Sequence, residues 1–191
     1  MPILLALLFS VASAAEPICF VPLGDHDAGL LAVAVAGVEG VWGMPTRVLP
    51  ASRLPAEAWY PPRSRWRADV LLDWLGREIL PGSGCAMVVG FTRADISTTK
   101  PPYTDWGIFG LGALGGPEAV VSSHRLAPSA RDRAHLEERV VKVANHEIGH
   151  MLGLPHCTTH GCLLEDANGT VATVDRETGQ PCAACRAWLA R

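Results

Sequence analysis

The sequence predicts a mixed α/β (α+β) fold in one domain, with a twisted mixed sheet, a long helix and a small C-terminal subdomain. Two strand–helix units and a further strand occupy the first half of the chain, an order typical of partly parallel sheets with helical cover. Apolar residues recur at helical spacing over residues 134–152, which predicts the long helix. Four of the six cysteines follow that helix, so we expect them to organise the subdomain.

The first elements in chain order are a strand, a helix and a second strand. Residues 18–23 form an apolar run closed by Gly24, which predicts a buried strand. Ala28 to Trp42 is apolar on nearly all sides and predicts a well-buried helix, which Asp25 can cap. Residues 46–49 predict the second strand.

The middle of the chain predicts one more helix and a central strand. Residues 50–66 are rich in proline and large aromatics, which favours a structured loop because such side chains seldom stay exposed. Helical spacing returns over residues 67–80, and residues 85–91 are almost uniformly apolar, as central strands are.

The stretch before the long helix predicts a loop and then a strand. Residues 92–117 contain many glycines and prolines, and we expect them to form a loop. The glycines do not form a phosphate-binding loop, because no Lys-Ser/Thr pair follows them and no helix begins there. Residues 119–126 predict an edge strand, which can pair with an extended peptide. Ser129 or Asp132 is expected to cap the long helix.

The end of the long helix carries the motif HEIGHMLGLPHC, residues 146–157. His146 and His150 are four residues apart, so a helix directs both imidazoles to one side. Gly153 allows the chain to leave the helix, and His156 returns as a third nitrogen ligand. Three neutral imidazoles with an open fourth position are typical of a catalytic zinc site.

The ligands predict the chemistry of this site. Zinc lowers the pKa of a bound water from about 15.7 to roughly 7 and polarises a carbonyl oxygen. Glu147 is the only carboxylate whose position the motif fixes, so we expect it to act as the general base and then as the acid. The motif therefore predicts hydrolysis of peptide bonds.

Two cysteine pairs after the motif have the spacing of a second metal site. Cys157 and Cys162, then Cys182 and Cys185, fit a tetrahedral zinc ion with four thiolate ligands. Two disulfides are the alternative, because an exported protein meets an oxidising compartment. We expect His160, between the first two cysteines, to be a solvated loop residue.

These residues resemble a known family. The pattern HExxHxxGxxHC-x4-C-x-M-x17-C-x2-C marks the archaemetzincins, a branch of the metzincin zinc proteases, and the spacing here matches it throughout. The resemblance implies a metzincin-like catalytic domain over residues 16–191, whose subdomain spans about residues 157–191. It also implies a catalytic zinc on His146, His150 and His156, Glu147 as the base, and a structural zinc on the four late cysteines.

One residue of the pattern differs, because Leu164 replaces the methionine that the family has there. The resemblance places that residue beneath the zinc as an apolar floor. Leucine nearly conserves the volume of methionine, so we expect an intact site with a slightly altered floor. Cys19 and Cys85 both fall in predicted strands, where we expect buried apolar residues, with a disulfide between them as the alternative.

The N-terminus and the charge bear on compartment and partners. Residues 1–15 combine a short apolar block with small residues, which predicts a secretory signal peptide and a secreted or periplasmic enzyme. A cytoplasmic protein is the alternative if this signal is not used. The formal net charge of −3 argues against nucleic acid as a partner. We expect a monomer without a stable membrane anchor after signal cleavage, acting on peptides or proteins.

The sequence thus predicts a zinc metallopeptidase with two zinc ions. The alternative is a zinc-containing binding or regulatory protein that keeps the site but turns over little substrate.

Overall fold

The computed structural model of the chain describes residues 15–190, and it has the predicted mixed α/β architecture. The expected signal peptide, residues 1–15, falls outside the described residues apart from Ala15. In chain order the strands are β1 (Ile18–Pro22), β2 (Thr46–Val48), β3 (Trp59–Tyr60), β4 (Arg65–Arg67), β5 (Met87–Thr92), β6 (Ile96–Lys100), β7 (Tyr103–Ile108), β8 (Gly110–Gly112) and β9 (Glu118–Ser122). The helices are α1 (Ala28–Trp42), α2 (Ala68–Trp74), α3 (Arg133–Met151), α4 (Val171–Arg176) and α5 (Ala183–Leu189).

The main sheet has five strands in the order β2-β1-β5-β9-β8. The first four are parallel, and β8, the last strand in this order, forms one edge and pairs antiparallel with β9. The strand expected at residues 119–126 is therefore β9, and it lies inside the sheet rather than at its edge. The edge strands of this sheet are β2 and β8.

Helices cover both faces of the main sheet because its inner strands are apolar on both sides. Alternate residues of β1, β5 and β9 pack against α1 and α3, and the intervening residues pack against α2 and the turn that follows it. The largest core cluster lies under α3, which fixes the helix that carries the HExxH motif.

Helix α1 has the predicted bounds, but its cap and its burial differ from expectation. Asp27, not Asp25, is the cap, and its Oδ1 accepts a hydrogen bond of 3.0 Å from the backbone N–H of Leu30. Only one stripe of the helix is buried, and its other residues are partly or fully exposed. The buried residues are Leu30, Leu31, Ala34 and Val38.

The prediction of a loop over residues 92–117 is wrong. These residues form β6, β7 and β8, and the first two belong to a second sheet with the order β3-β4-β6-β7. Asp95, at the turn into β6, accepts from Arg65 at 2.9 Å and from Arg125 at 2.7 Å. This charge pairing joins the second sheet to the chain that follows β9.

Two further details refine the sequence expectations. The helix expected at residues 67–80 is α2 followed by one π-helical turn, Leu75–Ile79. Cys19 and Cys85 are bonded as a disulfide that ties β1 to the segment before β5, so they are partners and not merely buried apolar residues.

Within residues 15–190, no helix has the length and apolar character needed to cross a membrane.

Candidate zinc centre and active site

Helix α3 is capped by Asp132, whose side chain accepts a 2.8 Å hydrogen bond from the backbone N–H of His135. This confirms one of the two expected caps. The helix then runs to Met151 and carries His146 and His150 on one face near its C-terminus. Gly153 follows with φ +89°, the left-handed conformation that glycine adopts easily, and the chain turns back so that His156 faces the other two histidines.

The three histidines form one group. One ring nitrogen from each of them lies within 4.8 Å of the others. The Nδ1 atoms of His146 and His150 each lie 2.7 Å from a backbone carbonyl, that of Leu163 and that of Leu154 respectively. Carbonyls only accept, so both Nδ1 atoms carry the proton and both Nε2 atoms present a lone pair.

Those two Nε2 atoms are 2.9 Å apart. Two lone pairs at this distance repel each other, and a cation bound by both nitrogens removes the repulsion. Imidazoles that donate from their outer nitrogen to a carbonyl are typical of zinc ligands, since the bond fixes the tautomer and the ring orientation. The donor set and its hydrogen bonds therefore fit a zinc ion.

Electrostatics keep the ring of His146 neutral. Burial, reinforced by the neighbouring His150, lowers the pKa of His146 to about 3. Burial is also the first cause that lowers the pKa of His150. Neutral imidazoles are the form that binds metal.

Glu147 is buried beside this group, and β8 lies against it. A methyl group added at Gly110 would lie 2.6 Å from Glu147 Oε1, and one added at Gly112 would lie 2.5 Å from the Glu147 carbonyl oxygen. Glycine is thus required for the edge strand to approach the helix so closely. Burial raises the pKa of Glu147 to about 8, against an opposing effect of the Gly112 backbone N–H.

Leu164 occupies the position expected for the floor of the site. It is fully buried, and a methyl group added at Gly149 of α3 would lie 2.9 Å from its Cδ1. The preceding residue, Leu163, supplies the carbonyl that holds His146. Leu163 and Leu164 therefore support the histidine group without contributing a metal ligand.

The four late cysteines form a second group. Their sulfur atoms all lie within 4.8 Å of one another, and the Cys157–Cys182 and Cys162–Cys185 pairs are each separated by 3.7 Å. Ligands of a tetrahedral zinc ion with Zn–S bonds of about 2.3 Å have sulfurs about 3.8 Å apart. All four thiols are free, so the structure holds them in metal-site geometry and not as two disulfides.

Charge in this cluster also favours a cation. Hydrogen bonding, first from the Cys185 backbone N–H, lowers the pKa of Cys182 to about 6. Burial raises the pKa of Cys185, so the sulfurs cannot all ionise without a positive charge among them. His160, by contrast, is 73% exposed and stands outside the cluster, as expected.

A cleft of about 600 Å³ opens in front of the histidines. One side is formed by β6, β7 and β8, and the other by α3 and the chain from residue 165 to residue 177. Lys100 closes the cleft at one point by joining the two sides, since its Nζ lies 2.9 Å from Asn168 Oδ1 and 3.7 Å from Asp166 Oδ2.

Several cleft residues had no signal in the sequence. Lys100 lies in the stretch predicted as a loop, and Asp166 and Glu177 lie in a polar segment without a motif. Asp166 Oδ2 is 3.9 Å from His156 Nδ1, too far for a direct hydrogen bond. No spacing rule identifies these residues, because they meet the site only through the tertiary fold.

Comparison with known proteins agrees with this geometry. Residues 85–191 match the model of peptidase family M54. The chain is 31% identical to the archaemetzincin of Haloarcula marismortui, over 87% of this chain and 95% of that one.

Solved structures show the same relationship. The crystal structure of archaemetzincin from Archaeoglobus fulgidus, complexed with malonate, matches with a TM-score of 0.74 and 29% identity, over 88% of this chain and 98% of that one. The archaemetzincin structure from Methanopyrus kandleri matches with a TM-score of 0.78 and 26% identity, over 95% and 98% of the two chains. The chain therefore belongs to peptidase family M54, the archaemetzincins, and its activity class is that of a zinc metallopeptidase.

Proposed function

We propose that the chain is a metzincin-type peptidase that hydrolyses peptide bonds at the three-histidine site, with Glu147 as general base and acid. The observation that carries this proposal is the pair of Nε2 atoms 2.9 Å apart, with a buried carboxylate on the adjacent residue. His146, His150 and His156 would hold the zinc ion. When bound, zinc supplies a Lewis acid that acidifies water and polarises a carbonyl oxygen.

Glu147 has the properties that proton transfer requires. Its carboxyl group is enclosed between α3 and β8, so its position is fixed before substrate arrives. Burial raises the pKa of this carboxyl group above its ordinary value, which makes it a stronger proton acceptor for general base catalysis. Glu147 would take the proton of the attacking water and deliver it to the leaving amine.

The exposed edge of β8 supports a role in substrate alignment. This strand pairs with β9 on one side only, so backbone groups on its other side, apart from the Gly112 N–H that acts on Glu147, can bond an extended peptide. A peptide paired there would pass in front of Glu147, because Gly110 and Gly112 lie against that residue. Peptides and proteins are the substrate class of a peptidase.

A second zinc ion on the four cysteines would have a structural role. All four positions would be filled by Cys157, Cys162, Cys182 and Cys185, which leaves no place for water or substrate. The cysteines join the segment after His156 to α5, and two of them pack with Leu163 and Leu164 in one buried cluster. We infer that the second zinc stabilises residues 157–191 and so fixes Leu163 and Leu164 beneath the histidines.

We further infer export as a single catalytic domain after removal of residues 1–15. The Cys19–Cys85 disulfide supports this, because such bonds persist in oxidising compartments and are rare in the cytosol of most organisms. A monomer remains our expectation for its assembly.

Peptide cleavage by the zinc-loaded protein tests the proposal, with Glu147→Gln as the variant. We expect turnover to fall by at least about a hundredfold while the zinc content is unchanged, since loss of general base catalysis costs about 10²–10⁴. Glu57→Gln is the control. Glu57 is a half-exposed carboxylate that does not line the cleft, so turnover by this variant should match that of the wild type. Zinc retained by a wild-type protein that cleaves no peptide in a diverse library would instead support a binding or regulatory role.

A further inference from the structure

The cleft contains a carboxylate that the proposed mechanism does not use. Glu177 follows α4 and lines the same cavity as His146 and Glu147. Its residue surface is only 6% exposed, so it is among the few buried acidic residues in the described chain. Burying a carboxylate is costly unless a partner compensates it.

No such partner is present within the protein. Among residues 15–190, no group donates a hydrogen bond to the Glu177 carboxylate, and no cation lies within ion-pair distance of it. Lys142 is the positive charge that acts on it most strongly. Its ammonium group is committed elsewhere, because it contacts Glu138 at 2.7 Å and the Val174 carbonyl at 3.1 Å.

Three apolar side chains line the same cleft as Glu177. Val143, Val174 and Phe109 line the cleft, and each is less than one-tenth exposed. Val143 is three residues before His146 on α3, so it lies on the same helix face as the metal group. The cleft beside the histidines therefore has apolar as well as polar lining residues, and it contains the unpaired carboxyl group of Glu177.

We propose that this cleft binds a substrate side chain that ends in an ammonium or guanidinium group, and that Glu177 determines this specificity. Lysine and arginine combine an apolar stem with a cationic end, which matches apolar lining residues and a buried carboxylate. The inference rests on the proposed peptidase function. It makes the enzyme selective for basic residues close to the scissile bond.

The test uses zinc-loaded enzyme and peptides that are acetylated and amidated, so that only a side chain carries positive charge. Lysine, arginine, norleucine or glutamate is placed at each position near the scissile bond in turn. At one position we expect kcat/KM for lysine or arginine to exceed that for norleucine roughly ten- to a hundredfold, the range for a hydrogen bond to a charged group. Glutamate should be disfavoured there.

Glu177→Gln keeps the size of the side chain and removes its charge. The ratio of lysine to norleucine turnover should fall to within about twofold of unity in this variant, since an amide gains little from a cation. Glu57→Gln, a surface carboxylate, should keep the wild-type ratio. A wild-type ratio near unity at every position would overturn the proposal, as would a high ratio that persists in Glu177→Gln.

A binding measurement separates this inference from the peptidase proposal. Two short hydroxamates, identical except for a lysine or norleucine side chain, anchor to zinc whether or not peptides are cleaved. Tighter binding of the lysine compound by at least about tenfold, lost in Glu177→Gln, would support this specificity even if no peptide were hydrolysed. Equal dissociation constants would contradict it, and the wild-type comparison decides this even if the variant does not fold.

Discussion

The Nε2 atoms of His146 and His150 lie 2.9 Å apart, and the other nitrogen of each ring lies 2.7 Å from a backbone carbonyl. This relationship orients both lone pairs toward the same point. The protein therefore prepares the ligand geometry in advance through the Leu154 and Leu163 carbonyls, and zinc binding should relieve a repulsion between the two rings.

Zinc removal should therefore weaken both folding and activity. A metal present at a hundredfold excess over its dissociation constant raises the free energy of unfolding by about 2.7 kcal/mol. We expect a chelator to lower the melting temperature and abolish peptide turnover, and added zinc to restore both. His150→Ala should keep the stabilisation from zinc at the four cysteines but lose the restoration of turnover, whereas His160→Ala, at an exposed histidine, should respond like the wild type. An unchanged melting temperature after zinc is shown to be removed would contradict this.

Gly110→Ala should impair catalysis without removing the metal. The added methyl group would lie 2.6 Å from Glu147 Oε1, so the carboxylate or β8 must move. Displacement of a catalytic group by about 1 Å can cost roughly a hundredfold in rate, and we expect a loss of kcat/KM of that order with normal zinc content. Gly40→Ala in α1 meets no atom within 4 Å and serves as the control. Equal activity of the two variants would show that β8 does not position Glu147.

Cys182→Ser should reduce the zinc content from two ions per chain to about one. Serine is a poor zinc ligand at neutral pH, and the remaining three sulfurs lose the closed geometry of a structural site. The control is the double variant Cys19→Ser/Cys85→Ser, which removes the disulfide. It should keep its zinc but lose about 4 kcal/mol of stability, because the bond closes a loop with a sequence separation of 66. Metal analysis of both proteins distinguishes the zinc-binding cysteines from the disulfide-bonded ones. Full zinc content in Cys182→Ser would contradict the assignment of Cys182 as a zinc ligand.

Asp175→Asn should destabilise the protein at neutral pH. Asp175 bonds the buried Arg139 at 2.7 and 2.8 Å and His135 at 2.9 Å, and so anchors α4 to α3. Breaking a buried pair costs about 3–5 kcal/mol, but Asp175 is 32% exposed, so we expect roughly 2–3 kcal/mol by denaturant unfolding. Asp69→Asn, at a half-exposed surface carboxylate, should change stability by less than about 0.5 kcal/mol.

The ion pair of Asp175 with Arg139 predicts that stability depends on pH. The Arg139 hydrogen bond, first among several causes, lowers the pKa of Asp175 to about 2, below its ordinary value of 3.8. The folded state thus favours the ionised form, and this stabilisation is present above about pH 4 and lost as the pH falls through 2. The stability difference between wild type and Asp175→Asn should shrink over that interval. A difference that stays constant down to pH 2 would contradict the assignment.

Local patterns predicted much of the site because its ligands are close in sequence. The helix periodicity, the glycine turn and the cysteine spacings predicted the two groups of three histidines and four cysteines, whereas the floor position of Leu164 came from the family resemblance. The bounds of α1 and the central position of β5 also followed from apolar runs. These features depend on contacts within one element or across a short turn.

The features that were missed depend on contacts between distant parts of the chain. Residues 92–117 contain prolines, glycines and polar residues, so their strands are stabilised by pairing and not by a local pattern. Asp27 caps α1 partly because it also pairs with Arg133 of α3, a contact that no local rule favours over Asp25. Glu177 had no motif at all, and only the fold shows that it faces the cleft.

Zinc and thiol content of the purified mature protein tests the central claim most directly. The protein is purified without chelator, its zinc is measured per chain, and free thiols are counted after denaturation. We expect two zinc ions and four thiols, because Cys19 and Cys85 are bonded and the other four cysteines are free. One zinc ion with the late cysteines oxidised would contradict the structural site, and no zinc would contradict the metallopeptidase itself.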